Sequence, residues 1–121
     1  MEDDYPTRHM YRATLTAAGF HVVAVEDGVD ALRTVDAGEL PDAVVLDLGL
    51  PRLHGRDVYK ELRARSETST IPVIIVTGSD IEDRDTAEFR FFLRKPLDPN
   101  ALIFAVDNAL RQARRFLNSP S

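Results

Sequence analysis

The chain has 121 residues, 44% of them hydrophobic, which suits one domain with one sizeable core. Its formal net charge of −5 argues against direct nucleic-acid binding, and its apolar runs are too short to span a membrane. The absence of cysteine excludes disulfides, thiolate metal sites and thiol nucleophiles, and fits a cytoplasmic location.

The first half of the chain is predicted to alternate between helices and strands. Residues 6–18 carry apolar side chains at near-helical spacing and precede a glycine, so they predict a first helix. The β-branched residues 21–25 predict a strand, and a turn at residues 26–28 leads into a second helix that ends at Gly38. Residues 43–46 lack polar alternation, which is typical of a central strand covered on both faces.

The second half continues this alternation. A third helix precedes residues 71–76, a fully apolar run that predicts another buried strand. Residues 89–94 predict a last strand, and residues 98–117 predict an amphipathic helix with Asp98 or Asn100 as its N-cap. Strands that alternate with helices over short connections predict an α/β fold with a doubly wound parallel sheet.

Polar groups lie at or just past the ends of the apolar runs. Asp47, Thr77 and Lys95 hold such positions, and the acidic pair Glu2 and Asp3 lies near the start. Ligands of doubly wound folds bind outside the carboxyl ends of the strands, so these groups are expected at one edge of the sheet. Carboxylates, a hydroxyl and an ammonium suit a magnesium-assisted phosphoryl site. Each residue alone is ordinary, and only the combined spacing indicates a site.

This arrangement resembles the receiver domain of bacterial two-component response regulators over nearly the whole chain. Asp47 lies 44 positions after Asp3, and Thr77 lies 30 positions after Asp47, both in keeping with that family. The motifs that carry the resemblance are residues 2–4, residues 25–32, residues 45–51 with Gly55, residues 71–78 and residues 92–96.

The resemblance implies a phosphoacceptor site that uses Mg²⁺. Asp47 corresponds to the residue that accepts a phosphoryl group. Glu2 and Asp3 correspond to the acidic pair that holds the divalent cation together with Asp47. Gly49 would add only its backbone carbonyl to the metal, so a glycine there loses no ligand. The chain would then be a regulatory domain rather than an enzyme with a substrate of its own.

The resemblance also implies a switch and a partner. Thr77 corresponds to the hydroxyl that senses the phosphoryl group, and Lys95 to the cation that binds one of its oxygens. Phe92 corresponds to the aromatic residue that turns inward after phosphorylation. The phosphoryl donor would be the phosphohistidine of a histidine kinase or of a histidine phosphotransfer protein.

The chain departs from the family pattern in two places. Only Met1 precedes Glu2, so the first strand of the flavodoxin-like order 2-1-3-4-5 is expected to be missing. The native chain then starts upstream, or a second chain fills the gap in a strand-exchanged homodimer, or the sheet rearranges. The segment at residues 78–88 is short, which predicts a shortened fourth helix or a loop. We expect a receiver domain over residues 1–117 and a tail over residues 118–121.

Two other functions remain as alternatives. A degenerate receiver would act as a protein-binding module without phosphorylation, as the missing strand and the short fourth helix suggest. A flavin-binding or nucleotide-binding enzyme of the same fold needs a loop that cradles phosphate after the first strand. The acidic residues 2–4 would repel phosphate there, so this class is disfavoured.

Overall fold

The computed structural model describes residues 4–47, 55–78, 89–95 and 97–118. This part of the chain is an α/β fold, which confirms the predicted class and most of the predicted elements. The helices are α1 (Tyr5–Ala17), α2 (Gly28–Asp36), α3 (Gly55–Ala64) and α4 (Pro99–Asn118). The strands are β1 (Val44–Asp47), β2 (Val73–Thr77) and β3 (Phe91–Arg94).

The described strands form one parallel sheet in the order β1-β2-β3. Val44 lies opposite Val73 in the first pair of strands, and Ile74 lies opposite Phe91 in the second. Every residue of β2 is buried, as its continuous apolar sequence predicted for a strand covered on both faces. The parallel register brings the carboxyl ends of all three strands to the same edge.

The two faces of the sheet carry separate apolar cores. Ile75 packs in a cluster with residues of α2 and α3, including Val58. Its neighbour Ile74 packs with residues of α1 and α4, including Leu102. Alternate strand residues point to opposite faces, so this apolar run fills both cores. None of the described helices is long and apolar enough to cross a membrane.

The prediction of a strand at residues 21–25 is wrong. These residues are irregular and join no strand ladder within the described part of the chain. A strand needs a hydrogen-bonding neighbour as well as β-branched residues. In the predicted order 2-1-3-4-5 that neighbour is the first strand.

The two predicted departures from the family pattern fall mainly outside the described residues. The missing first strand was predicted from residues 1–3, none of which is described. The shortened fourth helix was predicted from residues 78–88, of which only Gly78 is described.

A buried aspartate, Asp27, is the N-cap of α2, and its contribution to stability can be tested. The Oδ1 atom of Asp27 accepts a hydrogen bond from the backbone N–H of Asp30 over 3.0 Å. We expect Asp27→Ala to lower the free energy of unfolding by about 1–2 kcal/mol, because the N–H loses its acceptor. Asp27→Asn keeps an acceptor oxygen and should lose clearly less. Urea denaturation measures both changes, and equal losses would contradict the capping role.

Candidate functional site

Three of the predicted site residues meet at the carboxyl edge of the sheet. Asp47 ends β1, Thr77 ends β2, and Lys95 directly follows β3. The strand register places Asp47 opposite Val76 and Thr77 opposite Arg94. The backbone N–H of Lys95 then donates to the Thr77 carbonyl over 2.7 Å, which extends the β2–β3 pairing by one residue.

A partly buried ion pair joins Asp47 to Lys95. The Lys95 Nζ atom lies 2.6 Å from Asp47 Oδ2, and the side chains are 30% and 8% exposed, respectively. A carboxylate this buried is costly unless a charged or hydrogen-bonding partner compensates it. Lys95 supplies that compensation and keeps a positive charge beside a carboxylate oxygen. The lysine stays accessible enough to contact a group that arrives from solvent.

Thr77 and the residue after it form the part of the edge between Asp47 and Lys95. Thr77 is buried at the end of β2. Gly78 is exposed, and a Cβ built on it would meet no atom within 4 Å among the described residues. Among the described residues, the edge therefore has open space beside Thr77.

The predicted switch residue, Phe92, lies on the outer strand β3. Phe92 is half-buried and packs against the α2/α3 core. The guanidinium carbon of Arg94 lies 5.3 Å from the centroid of its ring, within cation–π range. The sequence reasoning missed this contact. Its only signal was the two-residue spacing, which places both side chains on the same side of a strand.

The start of α1 lies close enough to the carboxyl edge of the sheet for the charge of Lys95 to affect the pKa of Asp4. Asp4 caps α1, and its Oδ2 atom accepts a hydrogen bond from the Thr7 N–H over 3.1 Å. The hydrogen bonds from Thr7 lower the pKa of Asp4 below its ordinary value of 3.8, and the charge of Lys95 adds to this lowering. The stabilising cap is therefore complete above the ordinary pKa and is lost as the pH falls through the lowered pKa.

The described residues fit a divalent cation bound by oxygen atoms. Asp47 offers a buried carboxylate at the strand end, and Asp4 is close enough to Lys95 for the two charges to interact. Carboxylate and carbonyl oxygens are the ligands that Mg²⁺ takes in proteins. The other predicted ligands, Glu2, Asp3 and Gly49, lie outside the described residues.

A second group of acids was not singled out by the sequence reasoning. Carboxylate oxygens of Glu26, Asp27 and Asp30 lie within 4.8 Å of one another. Asp27 caps α2 and Asp30 lies in its first turn, where the helix dipole favours negative charge. Asp30 also lies 3.9 Å from the Arg33 guanidinium. Helix capping accounts for this cluster without a metal.

Comparisons with known proteins point to one protein family. A family model described as the response regulator receiver domain matches residues 1–107. Protein PilH of Pseudomonas aeruginosa is 37% identical over 116 residues, which cover 89% of this chain and 93% of PilH. Response regulator MprA of Mycobacterium sp. (strain KMS) is 32% identical over 125 residues, which cover 100% of this chain and 50% of MprA. The chain thus spans about half the length of its MprA relatives.

Solved structures show the same fold. A response regulator receiver protein from Sinorhizobium medicae WSM419 superposes with a TM-score of 0.81 at 26% identity, over 93% of this chain and 91% of that one. A response regulator receiver domain protein from Clostridium thermocellum gives a TM-score of 0.82 at 25% identity, over 95% and 94% of the two chains.

Proposed function

The chain belongs to the response regulator receiver domain family, and from this premise we propose that Asp47 accepts a phosphoryl group from a phosphohistidine. The observation that carries the proposal is the buried Asp47 carboxylate, with Lys95 Nζ 2.6 Å from its Oδ2 atom. The donor is a histidine kinase or a histidine phosphotransfer protein, and the chain acts in the cytoplasm as a regulator rather than as an enzyme with a separate substrate.

The proposed reaction uses groups of the chain itself. An Asp47 carboxylate oxygen forms a bond to phosphorus while the P–N bond of the donor breaks, and the imidazole leaves with the electron pair. Lys95 holds positive charge beside the oxygens as their negative charge shifts. The Thr77 hydroxyl donates a hydrogen bond to a phosphoryl oxygen in the open space beside Gly78. Hydrolysis of the acyl phosphate later restores the carboxylate.

Mg²⁺ is the proposed cofactor of this site. Glu2, Asp3, Asp47 and the carbonyl of Gly49 are its proposed ligands. When bound, the ion neutralises negative charge on the phosphoryl oxygens. Lys95 alone contributes one positive charge and cannot do this fully.

The proposed output is a change of surface at β3. Thr77 moves toward the phosphoryl group, and Phe92 leaves its contact with Arg94 and turns inward. The surface around β3 then changes for a protein partner, which includes a second copy of the chain. The chain spans about half of MprA, so an effect of the switch on any further output segment is also part of the proposal.

A substitution at Thr77 tests the switch separately from the chemistry. We expect the phosphorylation rate of Thr77→Val to stay within about tenfold of the unsubstituted rate, because removal of one hydrogen-bond donor costs about 1–1.5 kcal/mol. Phosphorylation should then no longer shift the ring resonances of Phe92 in NMR spectra. Thr77→Ser keeps the hydroxyl and should keep the shift. A full shift in Thr77→Val would contradict the sensing role.

The proposed function is tested by intact mass measurement. The chain is incubated with a small phosphodonor in Mg²⁺, and in parallel with a chelator in place of the metal. We expect the mass of one phosphoryl group to be added in Mg²⁺ and none with the chelator. No gain in either sample would contradict the phosphoacceptor function. It would favour the phosphorylation-independent binding module. The structural argument for that module is the irregular segment at residues 21–25, which joins no strand ladder among the described residues.

A further inference from the structure

Arg94 lies beside both residues of the proposed switch, Thr77 and Phe92. The strand register places Arg94 opposite Thr77, and Phe92 opposite Ile75. Ile75 belongs to the α2/α3 core and Phe92 packs against that core. Side chains two residues apart share one face of a strand, so Thr77 and Arg94 lie on this same face, closer to the carboxyl edge. Arg94 therefore adjoins Thr77 across the strand pair and Phe92 along its own strand.

The side chain of Arg94 covers one face of the Phe92 ring. Its guanidinium carbon lies 5.3 Å from the ring centroid. The negative face of an aromatic ring attracts a cation, and at exposed sites this attraction favours the stacked arrangement about two- to fivefold. Arg94 is exposed and Phe92 is half-buried, so this range applies to their contact.

A phenylalanine ring at position 92 has few means of holding one orientation. It has no hydroxyl group that could anchor either rotamer through a hydrogen bond. Two χ1 rotamers are common for side chains in strands, and β3 is the outer strand of the described sheet. The ring packs against the core and stacks with Arg94. Of these two contacts, the stacking has the more specific geometry, so its removal should change the rotamer populations of the ring.

We propose that Arg94 is a positioning residue of the switch, which holds the Phe92 ring in its unphosphorylated orientation and so sets how readily the switch turns. The inference rests on the proposed function, because it takes the inward turn of Phe92 as the phosphorylated state. A contact that favours one state lowers the apparent affinity for any group that favours the other state by the same factor. Loss of the Arg94 charge should therefore bias the chain toward the switched state before a phosphoryl group arrives.

The first test needs no phosphoryl group. Three-bond NMR couplings measure the χ1 rotamer populations of Phe92 in the unphosphorylated full chain. Arg94→Gln keeps a polar planar group and removes the charge, and we expect it to raise the population of the second rotamer about two- to fivefold. Arg94→Lys keeps the charge and should change the populations less. Rotamer populations in Arg94→Gln equal to those of the unsubstituted chain would overturn the proposal.

Arg90 provides a matched control next to the same strand. It is exposed, and its guanidinium carbon lies 5.5 Å from the centroid of the Phe91 ring. Phe91 packs against the α1/α4 core, on the other face of the sheet. Arg90→Gln thus removes the same charge and a similar stacking contact, and should leave the Phe92 rotamers unchanged. An equal change in both variants would assign the effect to the general loss of positive charge and would overturn the proposal.

The second test measures the switch itself. Beryllium fluoride mimics a phosphoryl group without covalent transfer, so its affinity is an equilibrium property. At saturating Mg²⁺ we expect Arg94→Gln to bind it about two- to fivefold more tightly than the unsubstituted chain. Arg90→Gln should bind it with unchanged affinity. Equal or weaker binding by Arg94→Gln would overturn the proposal.

The two tests separate failure of this proposal from failure of the proposed function. An unsubstituted chain that binds no beryllium fluoride and gains no phosphoryl mass would overturn the proposed function and the switch with it. A chain that gains phosphoryl mass, but whose Phe92 rotamers are unchanged in Arg94→Gln, would overturn only the role of Arg94.

Discussion

Asp47→Asn is expected to abolish the phosphoryl mass gain in Mg²⁺. The amide oxygen of asparagine is a far weaker nucleophile than a carboxylate oxygen and gives no acyl phosphate. The substitution conserves the volume at a buried position. Lys95 loses the negative charge beside it but is 30% exposed, so water can solvate its ammonium group. The fold should therefore persist while the chemistry disappears, which intact mass and circular dichroism measure together.

A matched control is available on α3. Asp57 is an exposed aspartate in the first turn of this helix and is not one of the predicted site residues. Asp57→Asn should gain the same phosphoryl mass as the unsubstituted chain. A gain in Asp47→Asn equal to that of the control would place the acceptor elsewhere.

Lys95→Met is expected to have the second largest effect. The substitution removes the positive charge 2.6 Å from Asp47 Oδ2 and keeps a side chain of similar length. Loss of one such electrostatic contact typically slows a reaction about 10²- to 10³-fold. We expect a decrease of this size in the rate of phosphorylation by a small donor, followed by intact mass over time. An unchanged rate would contradict the role of Lys95.

The same substitution should also lower stability. It leaves the buried Asp47 carboxylate without its ammonium partner, at a cost of about 1–3 kcal/mol in the free energy of unfolding. The partial exposure of Lys95 holds this cost below that of a fully buried pair. Urea denaturation of Lys95→Met and of the double variant with Asp47→Asn gives the coupling between the residues. The double variant should recover part of the loss, because position 47 then carries no buried charge.

The meeting of Asp47, Thr77 and Lys95 could be predicted because it depends on local sequence and one general rule. Each residue lies at or just past the end of an apolar run, and parallel strands bring their carboxyl ends to one edge. Helix ends were predictable for similar local reasons. Gly38 follows α2 with a φ of 88°, a conformation that glycine adopts most readily. Asp98 accepts a hydrogen bond from the Asn100 N–H over 2.8 Å, as proposed for a cap.

The structure differs from the prediction where an element depends on a distant partner. Residues 21–25 have strand propensity, but a ladder needs a second strand beside them. Side-chain contacts between distant parts of the chain could not be predicted from the sequence either. The effect of Lys95 on the pKa of Asp4 connects residues that are far apart in the chain, and no sequence pattern indicates it.

The most direct test locates the phosphoryl group chemically. The chain is phosphorylated by a small donor in Mg²⁺, reduced with borohydride, digested and sequenced by mass spectrometry. Borohydride reduces an acyl phosphate on aspartate to the alcohol, homoserine, and leaves free carboxylates unchanged. We predict homoserine at position 47 in place of Asp47, and at no other aspartate. Homoserine at another position, or phosphorylated protein with Asp47 intact, would contradict the proposal that Asp47 is the phosphoacceptor.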